Sequence, residues 1–337
     1  MAIKLIINAR ESQYENGPAA VVSLDIIIEF KEAILASKCM EIEAVRSSRY
    51  IAAKSYTAWR SVEKYIPTWL KQAWFSRSVH QASNKRHYFN ILLGHEWDKY
   101  FPQMLFPGKK SLYLFDAWPC SHENLIKFIE AYQVSHVFVS ASQAAKRLQS
   151  MVDRPVFSWI PEGVTPDKYQ YNAYADKDID VLELGRKYDV YHNNIVEALE
   201  EDTRVHLYEK TKGTRIFATV EDLIDGYART KIAICVPSNI THPDRAGDIE
   251  TMTIRYLQSM VSKCLVVGHA PKEMVKLFGY NPVVEIDMED PVGQIRSILD
   301  NFSDYIPLIE KNYTETVTNH TWSKRWQQIA EIIQSSD

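Results

Sequence analysis

The sequence of 337 residues contains no apolar run close to the roughly 20 residues that a membrane-spanning helix needs. Its first residues, Met1 to Asn8, lack a charged stretch followed by a long apolar one, so we expect a core strand there and not a signal peptide. The G-x-S-x-G, P-loop and complete G-x-G-x-x-G patterns are also missing. Their absence argues against hydrolase, kinase and dehydrogenase functions.

Cysteine is scarce, and no C-x-x-C pair or Cys/His cluster has the spacing of a metal site. The four cysteines are widely spaced and mostly adjoin apolar residues: Cys39, Cys120, Cys235 and Cys264. This pattern predicts reduced core cysteines in a cytoplasmic protein.

Acidic residues are nearly missing from one segment of a chain whose net charge is −4. Residues 46–86 contain nine Lys or Arg but a single acid, Glu63, together with seven aromatic residues. One explanation is a pair of amphipathic helices with aromatic side chains in the core and cations in solvent. The other is a surface for an anionic acceptor, or for peripheral contact with the inner face of a membrane. Nucleic acid is a less favoured partner because no recognition motif accompanies the segment.

Short apolar strands alternate with helical segments along the whole chain, which predicts an α/β fold with parallel sheets. The length exceeds that of a single core, so we expect two Rossmann-like domains that face each other across a cleft. Prolines and a glycine mark a linker after Ile160. The predicted boundaries are an N-terminal, acceptor-side domain at 1–160, a linker at 161–172, a C-terminal, nucleotide-binding domain at 173–318, and a final helix at 319–337 that packs back toward the N-terminal domain.

The segment from Lys231 to His269 predicts a buried strand, a polar loop, a helix that opens near Glu250, and a second buried strand. In such a unit the positive end of the helix and the loop can point toward an anion above the strand ends. We therefore expect a ligand site here. The polar residues His242, Asp244, Arg245 and Asp248 fit a binding loop and a solvated loop equally well.

The chain from Ile160 onward contains four short motifs. The segments I-P-E-G-V from Ile160, L-E-L-G-R from Leu182, and V-P-S from Val236 resemble, in the same order, the linker, a strand end and a loop of two-domain GT-B glycosyltransferases. The segment Q-S-M-V-S-K-C-L-V-V from Gln258 resembles the E-A-M-A-x-G-x-P-V-V pattern. Glu250 stands eight positions before Gln258, which resembles the E-x7-E signature of the retaining group 1 (family 4) enzymes. The R-x-x-Q sequence from Arg255 is similar to the R-x-x-E variant of their spore-maturation-like branch, and the resemblance covers residues 136–270.

The resemblance implies a retaining, metal-independent transferase whose donor is a UDP- or GDP-linked sugar, with no other cofactor. It implies that Arg186 stabilises the departing diphosphate and that Glu250 contacts the sugar; a surface ion pair and a helix-start carboxylate are the structural alternatives. The implied donor-binding residues are Gly185, Arg186, Pro237, Ser238, Glu250, Thr251, Arg255 and Gln258.

The sequence departs from the family at three points. Gln258 replaces the second glutamate of the signature, although an amide can still bind hydroxyl groups. The family's lysine beyond the G-R pair is missing, and Lys187 is expected to point elsewhere, so Arg255 or Arg245 would assist Arg186. Arg10 and Gly17 occupy the region of the family's glycine-rich first loop.

Polar residues also follow predicted strands in the first half, where ligands usually bind. They are His95, Glu96, Asp116 and His122, and we select Asp116 and His122 as candidates to orient or deprotonate the acceptor hydroxyl. Two alternatives stay open: a nucleotide-sugar epimerase of the same fold, and a non-catalytic glycan- or nucleotide-binding relative.

Overall fold

The structure, a computed structural model, describes residues 2–8, 22–67, 69–71, 73–75, 86–93, 97–185, 187–211 and 215–335. They form two α/β units, each built on one parallel sheet. The first unit holds the described residues as far as Pro161 and again from Arg325, and the second holds Glu162–Lys324. The predicted fold class, α/β with two Rossmann-like domains, is confirmed.

The first unit has a six-stranded parallel sheet in the order β2-β1-β3-β4-β5-β6. Its strands are β1 (Ala2–Asn8), β2 (Glu41–Ser47), β3 (Arg86–Leu93), β4 (Lys109–Phe115), β5 (His136–Val139) and β6 (Val156–Trp159). The inner strands are nearly continuous apolar runs because helices cover both faces of such a sheet. The core strand expected within Met1 to Asn8 is β1.

Four helices of the first unit are α1 (Val22–Ala36), α2 (Arg49–Glu63), α3 (His122–Tyr132) and α4 (Ser142–Met151). Residues 69–71 and 73–75 are also helical, so Pro67 separates α2 from a second helical stretch. Short 3₁₀ turns lie at Trp97–Tyr100, Gln103–Leu105 and Pro119–Ser121.

The second unit has a five-stranded parallel sheet in the order β11-β10-β9-β7-β8. Its strands are β7 (Ile179–Glu183), β8 (His206–Tyr208), β9 (Thr230–Cys235), β10 (Leu265–Gly268) and β11 (Val284–Glu285). The side chains of Val181, Ile232, Leu265 and Val267 are at the centre of its core.

The helices of the second unit are α5 (Asp189–Glu201), α6 (Val220–Arg229), α7 (Ser238–Thr241), α8 (Pro243–Ala246), α9 (Ile254–Val261), α10 (Lys272–Phe278), α11 (Pro291–Asp300) and α12 (Ile306–Asn319). Further 3₁₀ turns are at Pro166–Lys168, Tyr174–Asp176 and Phe302–Tyr305. The last helix, α13 (Trp322–Ser335), enters the first unit from Arg325, where the ring of Trp326 lies 5.3 Å from that of Phe89.

Two cysteines are buried as predicted, Cys235 and Cys264. The prediction is wrong for Cys39 and Cys120, which are exposed because they lie in turns at the surface. Among the helices described, none combines the length and apolarity needed to cross a bilayer.

Candidate functional site

The carboxyl ends of β7 and β9 lie side by side at one edge of the second sheet, because these two parallel strands are neighbours. The chain adds β8 on one side of β7 and β9 on the other, so the strand order changes direction here. Ligands of open α/β sheets bind at the carboxyl edge beside such a switch point. Leu184 and Gly185 follow β7, and Val236, Pro237 and Ser238 follow β9.

Arg255, in the first turn of α9, spans these two strand ends. Its Nη1 donates to the carbonyl oxygen of Leu184 at 2.7 Å, and its Nη2 donates to that of Val236 at 3.5 Å. Two carbonyl groups therefore fix the orientation of a guanidinium that has five N–H donors in total. The half-buried side chain keeps its positive charge and further donors at the edge where an anion would bind.

Gly185 makes the turn after β7 with a φ of +77°, a left-handed conformation that glycine adopts without steric cost. A Cβ atom at this position would lie 3.7 Å from Nη1 of Arg255, so the turn runs directly beside the guanidinium. Arg186, the predicted diphosphate ligand, lies outside the described residues.

Helix α9 is fixed to the two strands that flank it. The hydroxyl of Tyr256 lies 2.6 Å from the carbonyl oxygen of His269 and 3.2 Å from that of Cys235. Burial raises the pKa of this tyrosine well above its ordinary value, so the hydroxyl stays a donor. The close approach of β10 to β9 requires Gly268, where a Cβ atom would lie 1.8 Å from the carbonyl oxygen of Cys235.

The helix predicted to open near Glu250 begins instead at Ile254, so this prediction is wrong. Residues 250–253 have no regular secondary structure, and Thr253 is an extended N-cap with φ −93° and ψ 160°. The β-branched Thr251 and Thr253 disfavour an earlier helix start. The preceding loop forms two four-residue helices, α7 and α8, and His242, Asp244, Arg245 and Asp248 are exposed on it.

Glu250 contacts the start of a different helix, α10. Its carboxylate accepts the backbone N–H of Lys272 at 3.2 Å and lies 3.5 Å from the Lys272 ammonium. The carboxylate of Glu273 accepts the N–H of Met252 at 2.8 Å, which fixes the same segment a second time. The side chain of Glu250 is 16% exposed, so part of it reaches solvent beside the helix end.

The other four predicted donor contacts are buried: Pro237, Ser238, Thr251 and Gln258. The amide of Gln258 donates through Nε2 to the hydroxyl of Tyr169 at 2.9 Å. Its Oε1 and the Oγ1 of Thr251 are buried without a hydrogen-bond partner in the described part of the chain. Because buried polar atoms are normally paired, these two oxygens are atoms that a bound ligand could satisfy.

A buried triad lies just before the β7 turn. Oε1 of Glu183 accepts hydrogen bonds from Nδ1 of His192 at 2.6 Å and from Nε2 of His206 at 2.8 Å. Burial tends to raise the pKa of Glu183, but the two imidazole hydrogen bonds outweigh it and hold this pKa below its ordinary value. Lys187 turns toward the triad, with Nζ 3.4 Å from Nε2 of His192 and 3.2 Å from the carbonyl oxygen of Glu209.

The three triad residues are types that bind metals, and their nearest ligand atoms all lie within 4.8 Å of one another. Their separations of 2.6 and 2.8 Å are hydrogen-bond distances, so the three side chains form a hydrogen-bonded anchor for β7 and its turn. Oε2 of Glu183 and Nδ1 of His206 are buried without a hydrogen-bond partner in the described part of the chain. No motif indicated the cluster, because Glu183, His192 and His206 come from separate elements. The one indication in the sequence was an acidic residue, Glu183, inside the buried strand β7.

In the first unit, Asp116 lies in the loop that follows β4, and His122 is the first residue of α3. Asp116 has a φ of +51°, which is uncommon for a residue with a side chain. Nε2 of the buried His122 donates to the carbonyl oxygen of Ala117 at 2.9 Å, and burial lowers the pKa of this histidine. The other two residues predicted in this region, His95 and Glu96, lie outside the described residues, as do Arg10 and Gly17.

The whole structure is similar to solved glycosyltransferase-fold structures at low sequence identity. HepE of Anabaena, in complex with UDP-glucose, matches with a TM-score of 0.53 and 12% identity over 99% of this chain and 100% of HepE. Sucrose-phosphate synthase from Thermosynechococcus elongatus matches with a TM-score of 0.61 and 11% identity over 99% of this chain and 98% of the synthase. TarM matches with a TM-score of 0.50 and 11% identity over 81% of this chain, which spans 57% of TarM.

No family model and no curated protein matches the sequence. At these identities the likeness establishes the fold. It is the GT-B fold, in which two Rossmann-like units follow each other along the chain.

Proposed function

We propose that this protein transfers a sugar from a nucleotide-sugar donor to an acceptor hydroxyl. The observation that carries the proposal is the guanidinium of Arg255, held across the carboxyl ends of β7 and β9 in a GT-B fold. When the bond between the sugar and the diphosphate breaks, negative charge grows on the diphosphate. A guanidinium that is already oriented stabilises this charge without reorganisation. The UDP-glucose bound to HepE supports a UDP- or GDP-linked donor.

In this proposal Arg255 and Arg186 both bind the diphosphate. Positive charge is then supplied by side chains, and neither a metal ion nor another cofactor takes part. The strand-end residues Pro237 and Ser238 form the adjoining wall of the donor site.

Glu250 and Thr251 contact the transferred sugar, and Gln258 contacts the nucleoside. The partial exposure of the Glu250 side chain supports the first assignment, since a sugar hydroxyl could donate to its carboxylate beside Lys272. The unpaired oxygens of Thr251 and Gln258 support the others.

We assign the acceptor side to Asp116 and His122. The carbonyl oxygen of Ala117 holds His122 as the Nε2–H tautomer, which leaves Nδ1 as the basic nitrogen. Burial lowers the pKa of His122, so the neutral form that can take a proton from an acceptor hydroxyl predominates at neutral pH.

The test is to incubate the protein with UDP- and GDP-linked hexoses and a set of hydroxyl acceptors, and to detect products by mass spectrometry. The proposal expects a glycosylated acceptor, with the donor's anomeric configuration retained in the NMR spectrum. Arg255→Ala should abolish product. Arg229→Ala is the matched control, because Arg229 lies at the opposite end of β9 and pairs with Asp178.

Incubation of the protein with donor but without acceptor distinguishes sugar transfer from the two alternatives, an epimerase and a non-catalytic relative. An epimerised sugar in that mixture would identify an epimerase and contradict sugar transfer. Tight nucleotide binding with no turnover of any donor would identify a non-catalytic relative.

A further inference from the structure

Exposed hydrophobic side chains are concentrated in one segment of the first unit. Of the fifteen large hydrophobic residues that are exposed in the described chain, seven lie between residues 50 and 74. We call them the aromatic strip: Tyr50, Ile51, Val62, Tyr65, Trp69, Leu70 and Trp74. Single exposed hydrophobic residues are normal, but a concentration of this kind marks an interaction surface.

The exposure of the strip is not the result of a loosely packed helix, because the opposite side of α2 is well packed. Tyr56 contacts the ring of Phe101 at 5.1 Å, and Nε1 of Trp59 donates to the hydroxyl of Tyr132 at 2.7 Å. The segment's aromatic residues therefore divide between the core and the surface. The first explanation offered by the sequence, aromatic side chains in the core of an amphipathic helix, therefore accounts for one side of α2 only.

The exposed charged residues beside the aromatic strip are cations. Glu63, the only acid between residues 46 and 86, is buried and accepts from Arg60 at 3.0 Å and from Lys71 at 3.3 Å. Lys54 and Lys64 are exposed and lie over the rings of Tyr50 and Tyr65, at 5.5 and 5.0 Å. Cations thus stand beside the exposed rings, and the segment's one carboxylate is turned away from solvent.

We propose that the aromatic strip docks the protein on an anionic lipid surface. Trp and Tyr partition to the boundary between lipid headgroups and acyl chains, and lysines beside them attract anionic headgroups. Two copies of the strip would repel each other, because Lys54 and Lys64 give both surfaces a positive charge. Nucleic acid would use the rings and cations but would gain nothing from Ile51, Val62 and Leu70, whereas acyl chains would cover all three.

Vesicle flotation tests this proposal, with phosphatidylcholine vesicles that contain or lack phosphatidylglycerol. We expect binding only to the anionic vesicles, a blue shift in tryptophan fluorescence, and weaker binding as salt rises. Each lysine near an anionic leaflet contributes about fivefold in affinity, equivalent to about 1 kcal/mol. Lys54→Glu with Lys64→Glu should therefore weaken binding at least about 25-fold, and Trp69→Ser with Trp74→Ser should remove the blue shift.

The matched control is Lys276→Glu with Lys324→Glu, which reverses two exposed lysines of the second unit and should bind as the wild type does. Circular dichroism checks that every variant is folded. Equal binding to both vesicle types, no binding, or unchanged binding by the strip variants would overturn the proposal. A dimer seen by light scattering and lost in the tryptophan variant would instead make the strip a self-association surface. The assay uses no sugar donor, so its failure would leave the proposed transfer reaction intact.

Discussion

Nη1 of Arg255 donates to the carbonyl oxygen of Leu184 at 2.7 Å, and this bond joins helix α9 to the carboxyl end of β7. The arginine comes from a helix that Tyr256 anchors to the ends of β9 and β10. A side chain held in this way can meet a diphosphate without first giving up alternative conformations.

Arg255→Lys should lower the rate of sugar transfer by about a hundredfold or more, because lysine keeps the charge but not the planar fork that meets two oxygens. Initial rates at saturating donor measure the effect. Arg229→Ala should leave the rate unchanged. A lysine variant as active as the wild type would show that orientation of the guanidinium is not what the reaction uses.

Glu250→Gln separates the capping role of this residue from its proposed contact with sugar. The amide oxygen of glutamine can still accept the N–H of Lys272, so the free energy of unfolding should change by less than about 0.5 kcal/mol. Transfer should nevertheless fall steeply, because the carboxylate charge is gone.

Lys272→Ala is the control for the ion pair of Glu250, since that lysine side chain is 92% exposed. It should leave both stability and rate close to the wild type. If Glu250→Gln is fully active, the carboxylate is only a helix cap.

The parallel strands were predictable because buried strands in such sheets are short apolar runs with polar ends, as in β4 and β9. The start of α9 was not predictable from the sequence, because residues 250–253 are held by contacts with Lys272 and Glu273, which follow the next strand, β10. The partner of Gln258, Tyr169, likewise comes from a distant segment. Arg255 was named from a motif, but its position across two strand ends depends on tertiary packing.

Lys177→Met should lower the free energy of unfolding by about 3 kcal/mol or more. The buried ammonium of Lys177 donates to the carbonyl oxygens of Ala228, Thr230 and Ser262, at 2.8, 2.9 and 3.1 Å. Methionine would leave these acceptors without their donor, and each unsatisfied group costs about 1–3 kcal/mol. Urea denaturation measures the change, with exposed Lys276→Met as the control. Unchanged stability would mean that water replaces the ammonium.

Lys110 should make stability depend on pH in the alkaline range. It is fully buried, and burial lowers its pKa to about 8. Between pH 8 and 10.5 the unfolded chain keeps a proton that the folded chain has lost, so the free energy of unfolding rises with pH. Lys110→Met should be more stable than the wild type at pH 7, by up to about 3 kcal/mol.

The advantage of Lys110→Met should shrink as the pH rises from 8 toward 10.5, because the folded wild type then holds Lys110 neutral and no longer contains a buried charge. Paired denaturation curves at pH 7 and pH 10 check this. An advantage that does not change with pH would show that packing, and not the buried charge, distinguishes the two proteins.

The most direct test of the donor site is thermal denaturation with a panel of UDP-, GDP-, ADP- and CMP-linked sugars. A donor at a hundred times its Kd should stabilise the protein by about 2.7 kcal/mol. We predict that a UDP- or GDP-linked sugar does so for the wild type and for Arg229→Ala, and that Arg255→Ala loses the effect. A panel without any stabilising donor, or the same stabilisation in Arg255→Ala, would contradict a nucleotide-sugar site at the ends of β7 and β9.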